Sequence, residues 1–142
     1  MSPVVWDDFI PRVQAVATQL GITFEMPNEP AGARPEPSQT WLDIEVASQS
    51  SVQLELGDNA WIEYGQGYLH IMVPIGTGWR DALVKAKAFQ EAFRGINTTT
   101  PKGLVYRNDQ SADPMANKDD GMYRRLTVIV NYQYQDRLIA PP

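Results

Sequence analysis

Cysteine is absent from the 142-residue chain, and histidine occurs once, at position 70. The lack of cysteine excludes disulfide bonds, thiolate nucleophiles and cysteine-ligated zinc, and it is typical of a protein made in a reducing cytoplasm. A single histidine also argues against a zinc site built from imidazoles. We therefore predict that the chain has no catalytic residues, no metal site and no cofactor, and that it is not an enzyme.

Long apolar runs and clustered bases are missing as well. No segment approaches the roughly 20 apolar residues that cross a bilayer, and segment 1–12 carries acids where a signal peptide would carry bases. The 12 Lys and Arg residues are scattered among 17 acidic residues, and the net charge is −5. We expect no membrane contact and no sequence-directed binding of nucleic acid, although DNA could pass an acidic surface without sticking.

The length and composition predict one globular domain. Hydrophobic residues make up 43% of the chain and charged residues 20%, which are ordinary values for a folded protein. We treat 1–142 as a single domain with three irregular segments. These are a proline-rich loop at 27–38, a polar loop at 108–121 and an extended C-terminal tail at 135–142.

Two helices are predicted from the spacing of apolar residues and from their end signals. The first covers 3–20, with Ser2 as the N-cap and Gly21 as the stop, and Pro11 is expected to kink it or to delay its regular part. The second covers about 79–94, after a run of alternating residues. Its small alanines would allow close approach to a sheet.

Alternating apolar residues predict several strands. They cover 22–26, 40–47, 52–56, 61–64, 68–75, 104–106 and 122–134. Val52 is expected on the same sheet face as Leu42, and Gly65-Gln66-Gly67 is expected to break the strand pattern. Runs of strands with helices set apart predict an α+β fold, in which a mostly antiparallel sheet carries both helices on one face.

The sheet face away from the helices is predicted to mix acids, bases, aromatic residues and Met. Such a mixture is typical of protein interfaces, whereas water favours a more uniformly polar face. We therefore predict a subunit or partner interface there, with these candidate residues: Trp41, Asp43, Glu45, Trp61, His70, Met72 and Arg125. The alternative is that Trp41 and Met72 pack under the proline-rich loop. Burial of Trp41, Met72 and Ile129 inside their own subunit, with no adjoining chain near them, would overturn the assembly prediction.

Two further patterns have ordinary interpretations. Gly76-Thr77-Gly78 lacks the Lys-Ser/Thr that completes a phosphate-binding loop, so we interpret it as a strand-to-helix turn. Asp113, Asp119 and Asp120 match no EF-hand spacing, and we expect a solvated loop in preference to a weak calcium site.

Several segments together resemble the tail terminator proteins of long-tailed bacteriophages. They are Leu20-Gly21, 26–30, 41–46, the run Tyr68 to Gly78, 92–95 and 121–123 within a span of about 1–134. The resemblance implies a ring, typically a hexamer, that caps the tail tube, stops its polymerisation and joins it to the head-completion or connector protein. It further implies a location in the virion tail or neck after assembly in the host bacterial cytoplasm, with DNA passing through the lumen without specific binding.

Two other interpretations of the sequence remain open. The chain could be another neck or head-completion protein. It could also be a small-ligand-binding domain or an enzyme, with a pocket between sheet and helices around Tyr64, Tyr68 and His70, where His70 would act as a general base.

Overall fold

A computed structural model describes residues 1–27, 39–53, 60–94, 100–107, 111–113, 119–120 and 123–137. Its elements in chain order are α1 (Pro3–Leu20), β1 (Thr23–Glu25), β2 (Trp41–Gln53), β3 (Ala60–Pro74), α2 (Arg80–Ala92), β4 (Leu104–Tyr106), β5 (Ser111–Asp113), β6 (Asp119–Asp120) and β7 (Tyr123–Arg137). The predicted α+β class is confirmed. Most of the predicted proline-rich loop and the strand prediction at 54–56 lie outside the described residues.

One sheet contains all the strands of the described chain. Its order is β1-β2-β3-β7, and β4, β5 and β6 lie one after another along the far edge of β7. The pair β1–β2 is parallel, and the other pairs are antiparallel. The three long strands therefore form the centre of the sheet, and short strands border it.

Both helices pack on one face of this sheet, as predicted. Val5, Phe9 and Val13 of α1 and Ala86 and Phe89 of α2 are buried in one cluster. The sheet contributes alternate residues to the same cluster: Leu42, Ile44, Leu69, Ile71, Val73, Leu126, Val128 and Val130. Full burial of each large apolar side chain contributes about 1.5–3 kcal/mol, so this layer fixes which side of each strand faces the helices.

The predicted strand break at Gly65-Gln66-Gly67 is wrong, because β3 continues through it. A Cβ added at Gly67 would lie 2.3 Å from Cζ of Phe9, and one added at Gly65 would lie 2.3 Å from the hydroxyl oxygen of Tyr132. The two glycines thus leave room for aromatic rings on the helix side of the sheet. Their role is close packing and not chain reversal.

The predicted position of Val52 is also wrong. The register of β2 against β3 shifts between Ser48 and Ser50, which is a β-bulge. Beyond the bulge Val52 pairs with Ile62, so it lies on the face opposite to Leu42 and is 51% exposed. Because β2 has one extra residue at the bulge, each residue beyond it lies on the face opposite to the one that simple alternation predicts.

The helix predictions hold at most positions. The helix α1 runs without a break through Pro11 and ends at Gly21, whose φ is 70° in the left-handed region. Ser2 occupies the N-cap position, but its side chain makes no capping hydrogen bond. Its backbone N–H instead donates to Oε1 of Glu63 at 3.0 Å.

The predicted polar loop and tail differ from the structure in part. The strands β5 and β6 fall inside 108–121 and pair with β7. The strand β7 continues to Arg137, so the first part of the predicted tail at 135–142 is strand. The strand β7 extends this far because its last residues pair with the first residues of β3, which begins at Ala60.

Candidate functional site on the outer face of the sheet

The outer face is the side of the sheet away from both helices. Because Leu69, Ile71 and Val73 face the helices, their neighbours on β3 face outward. Residues opposite one another in the register share a face. Three cross-strand rows result: Trp41–Met72–Arg125, Asp43–His70–Thr127 and Glu45–Tyr68–Ile129.

Two residues of the first row, Trp41 and Met72, form a small second core with Tyr123 of β7. Trp41 is 3% exposed, Met72 is 5% exposed and Tyr123 is 8% exposed, and the three make one cluster. The Trp41 and Tyr123 rings meet edge to face, with centroids 6.1 Å apart. This geometry is favourable for aromatic pairs.

The burial of Trp41 and Met72 corrects the interface prediction. These side chains are not offered to a partner, because they are covered within their own subunit. Ile129 is half-buried. The argument from an exposed apolar outer face is therefore wrong for this row. The proline-rich loop that was expected to cover them lies mainly outside the described residues.

The second row is centred on His70, which is 6% exposed. Its Nδ1 lies 2.8 Å from Oγ1 of Thr127, and its Nε2 lies 3.0 Å from Oε2 of Glu45. A carboxylate only accepts, so Nε2 carries the proton toward Glu45. In the neutral ring the Thr127 hydroxyl then donates to Nδ1. Both ring nitrogens are thus satisfied by neighbours in the sheet.

The third row continues this polar layer. The Tyr68 ring lies parallel to the His70 ring, at an interplanar angle of 5° and a centroid distance of 6.2 Å. Its hydroxyl donates to the Gln66 side chain, and Nε2 of Gln66 donates to Oδ1 of Asn131 at 2.7 Å. Side-chain hydrogen bonds therefore tie β3 to β7 at two outward pairs, His70–Thr127 and Gln66–Asn131, which stand on either side of the Tyr68–Ile129 row. They stabilise one register.

The remaining predicted residues do not form one patch. Asp43 and Arg125 are half-buried on the outer face, and Nε of Arg125 is buried without a hydrogen-bond partner among the described residues. The side chain of Glu45 is 59% exposed. Trp61 alternates with Glu63 on the helix side of β3, near its start, and is 40% exposed. The structure brings six of the seven candidates to the outer face and leaves Trp61 apart.

One polar cluster was missed by the sequence analysis. The hydroxyl of Tyr106 donates to Oδ2 of Asp8 at 2.6 Å, and Nε of Arg12 donates to the same oxygen at 2.8 Å. Burial, followed by the hydrogen bond to Asp8, raises the pKa of Tyr106 far above its ordinary value. The hydrogen bond to Asp8 raises the pKa of Arg12. The i, i+4 spacing of Asp8 and Arg12 was the signal that could have indicated the pair.

A second missed residue is Glu63. Its carboxylate accepts from the backbone N–H of Ser2 at 3.0 Å and from the hydroxyl of Tyr132 at 2.9 Å. It thereby fixes the beginning of α1 to the centre of the sheet. An acidic residue on the core side of a strand was the available signal, because such a group needs partners.

The predicted ligand pocket between sheet and helices is wrong in its location. Tyr68 and His70 lie on the outer face, and Tyr64 shares their side of β3 by alternation. A cavity of about 390 Å³ opens beside the outer face, lined by residues that include Met26, Glu45 and Tyr68. The space between sheet and helices is filled by the apolar cluster.

A second cavity, which we call the β3–α2 cavity, lies where β3 ends and α2 begins. It has a volume of about 300 Å³ and is lined by Val73, Pro74, Ile75, Gly76, Gly78, Trp79 and Arg124. Gly76 and Gly78 have φ values of 92° and 77°, and the Thr77 hydroxyl donates to the carbonyl of Pro74 at 2.8 Å. The strand-to-helix turn predicted for this segment is confirmed.

Within the described ranges, no group of three or more His, Asp or Glu residues is placed to hold a metal ion. Over the same ranges, neither helix has the length and apolar character needed to cross a membrane.

Comparisons with known proteins establish the fold alone. No family model matches the chain, and no curated protein matches it. Among 17 matching chains in solved structures, one aligns with a TM-score of 0.66 at 17% identity, over 100% of this chain and 99% of that chain. The name of that protein states no activity. At this identity, the likeness shows that this α+β architecture occurs as a whole in another protein.

Proposed function

We propose that the chain is a structural virion protein that acts as a phage tail terminator. In this role, copies form a ring that caps the tail tube, stops its growth and joins it to the connector. The proposal rests on the resemblance over about 1–134 and on one structural observation. Along β2, β1 pairs only with Trp41 to Asp43, and from Ile44 onward that edge has no strand partner among the described residues.

An open strand edge supports assembly because its backbone N–H and C=O groups can pair with another chain. Val52 and Trp61 are exposed at the same end of the sheet, on β2 and β3. Val52 lies on β2 itself, so its apolar side chain would add buried area to such a pairing. We therefore place the proposed contact surface at this end of the sheet and not at the outer-face row that contains Trp41.

The charge of the protein suits a ring that surrounds DNA. The net charge is −5, and bases occur as scattered residues. An acidic lumen would repel phosphates and let DNA pass without trapping. The chain itself supplies contacts and geometry in this proposal, and it catalyses no reaction.

The proposal is tested by polymerising a tail tube protein with and without this chain. We expect tubes that stop growing when the chain is added, with density on one end in electron micrographs. Tubes of unchanged length, with no end density at saturating concentration, would rule out the terminator role. Binding to connector protein without any effect on tube length would instead support the alternative of another neck component.

A second candidate function is favoured by the hydrogen-bonded chain of Thr127, His70 and Glu45, which joins the second row to the third. The hydroxyl, the imidazole and the carboxylate are within hydrogen-bonding distance in that order, which is an arrangement that can activate a nucleophile. Hydrolysis of an activated ester that is lost in both His70→Gln and Thr127→Ala would support an enzyme. Turnover equal in the wild type and both variants would remove this candidate.

A further inference from the structure

The aromatic side chain of Trp61 is exposed, whereas every other aromatic side chain within the described ranges is buried or half-buried. It is 40% exposed near the beginning of β3. Trp is enriched among the residues that dominate binding energy at protein interfaces. An exposed Trp at the end of a long strand is therefore a candidate for insertion into another molecule.

The β3–α2 cavity fits an indole ring in size and character. An apolar cavity of about 150 Å³ accommodates benzene, and this cavity has about 300 Å³. Its walls include Val73, Ile75 and the half-buried Trp79. These side chains would contact the faces and edges of an inserted ring.

Arg124 in the cavity wall adds electrostatic complementarity. A guanidinium group is attracted to the face of an aromatic ring, and Trp is the best partner for it. An Arg can stack in this way while its N–H groups keep their hydrogen bonds. The attraction therefore does not require Arg124 to give up any contact that it makes within its own subunit.

The positions of the two features define the kind of contact. Trp61 and the cavity lie at opposite ends of β3, about 12 residues or roughly 40 Å apart along the strand. A side chain at one end that fits a cavity at the other joins copies head to tail, and a repeated head-to-tail contact closes into a ring when the rotation allows it.

We propose that Trp61 of one copy inserts into the β3–α2 cavity of the next copy and that this contact links the subunits. The inference rests on the proposed function to the extent that it needs several copies to assemble. The inference adds to the proposed function the two surfaces through which the copies meet, Trp61 and the β3–α2 cavity. Truncation of a central interface Trp weakens association by at least about 30-fold.

The test uses the full chain and light scattering over a range of concentrations. Trp61→Ala removes the inserted side chain, and Ile75→Asp places a charge in the cavity at a position that is 47% exposed. Both variants are expected to lose the wild-type assembly. Val105→Ala, at a position that is 57% exposed, is the control that is expected to keep it.

Mixing the two variants gives the sharper result. The Trp61→Ala subunit keeps an intact cavity, and the Ile75→Asp subunit keeps an intact Trp61. One good contact therefore remains, and the mixture is expected to form a heterodimer and no larger ring, while each variant alone stays monomeric with an unchanged circular dichroism spectrum.

Two outcomes would overturn the inference. A wild-type assembly that neither variant weakens means that other surfaces join the copies, and the ring itself then stands. If the wild type is monomeric at every concentration, free copies do not make this contact and the inference is wrong. The terminator role is then decided separately by the length of tail tubes. A mixture that stays monomeric, although each variant disrupts the wild-type assembly, also contradicts a head-to-tail contact.

Discussion

Gly67→Ala tests the packing of α1 on the sheet. The added Cβ would lie 2.3, 2.6 and 3.1 Å from three atoms of the Phe9 ring, whereas carbon atoms are ordinarily about 3.5–4.0 Å apart. Phe9 is fully buried and also packs on Phe93 at a centroid distance of 5.3 Å, so the ring has little room to move. Overpacking costs up to about 3 kcal/mol, and the lower entropy of unfolded Ala offsets about 0.4–1 kcal/mol.

The expected net effect is a loss of about 2 kcal/mol in the free energy of unfolding. Urea denaturation followed by circular dichroism measures it, with an unchanged m-value. The matched control is the double variant Phe9→Leu/Gly67→Ala, in which the smaller side chain relieves the contact. Its loss is expected to be smaller than the sum of the two single losses by at least about 0.5 kcal/mol. Equal stability of Gly67→Ala and the wild type, or strict additivity, would refute this account of the glycine.

Two other predictions concern buried groups. Trp41→Ala is expected to lower the free energy of unfolding by about 3–5 kcal/mol, because Trp41 is 3% exposed. The control Val105→Ala is expected to change it by less than about 0.5 kcal/mol. Similar small losses in both variants would mean that Trp41 is exposed in solution. Tyr106→Phe is expected to cost about 1–2 kcal/mol at neutral pH, since Asp8 loses a donor. Because the pKa of Tyr106 is raised in the fold above 10.0, wild-type stability is expected to fall as the pH rises above about 10. The fall would be shallower in Tyr106→Phe, and identical pH profiles would contradict the burial of the phenol.

The helices were predictable from sequence because their signals are local. Pro3 at the start and Gly21 at the end bound α1, and the structure gives the same limits. The sheet was less predictable. Whether Gly65 and Gly67 break a strand depends on what approaches them, and Phe9 and Tyr132 come from other parts of the chain. The bulge near Ser48 likewise follows from the register with β3, which no local pattern specifies.

The outer face illustrates the same limit for the candidate site. Alternation placed His70 and Met72 on one face, and the structure agrees. Alternation does not say whether a face is covered, so the exposure assumed for Trp41 and Met72 was wrong. The hydrogen bond of His70 to Thr127 depends on a register 57 residues away in sequence. The interface roles of Asp43, Glu45, Trp61, His70 and Arg125 stay predictions.

The most direct measurement is negative-stain microscopy of the purified chain, with its mass determined in the same preparation. The account predicts closed rings, present either in the free protein or at the ends of tail tubes, whose mass is a multiple of 15.9 kDa. Single 15.9 kDa particles at all concentrations, beside tubes that grow to their usual uncapped lengths, would contradict it.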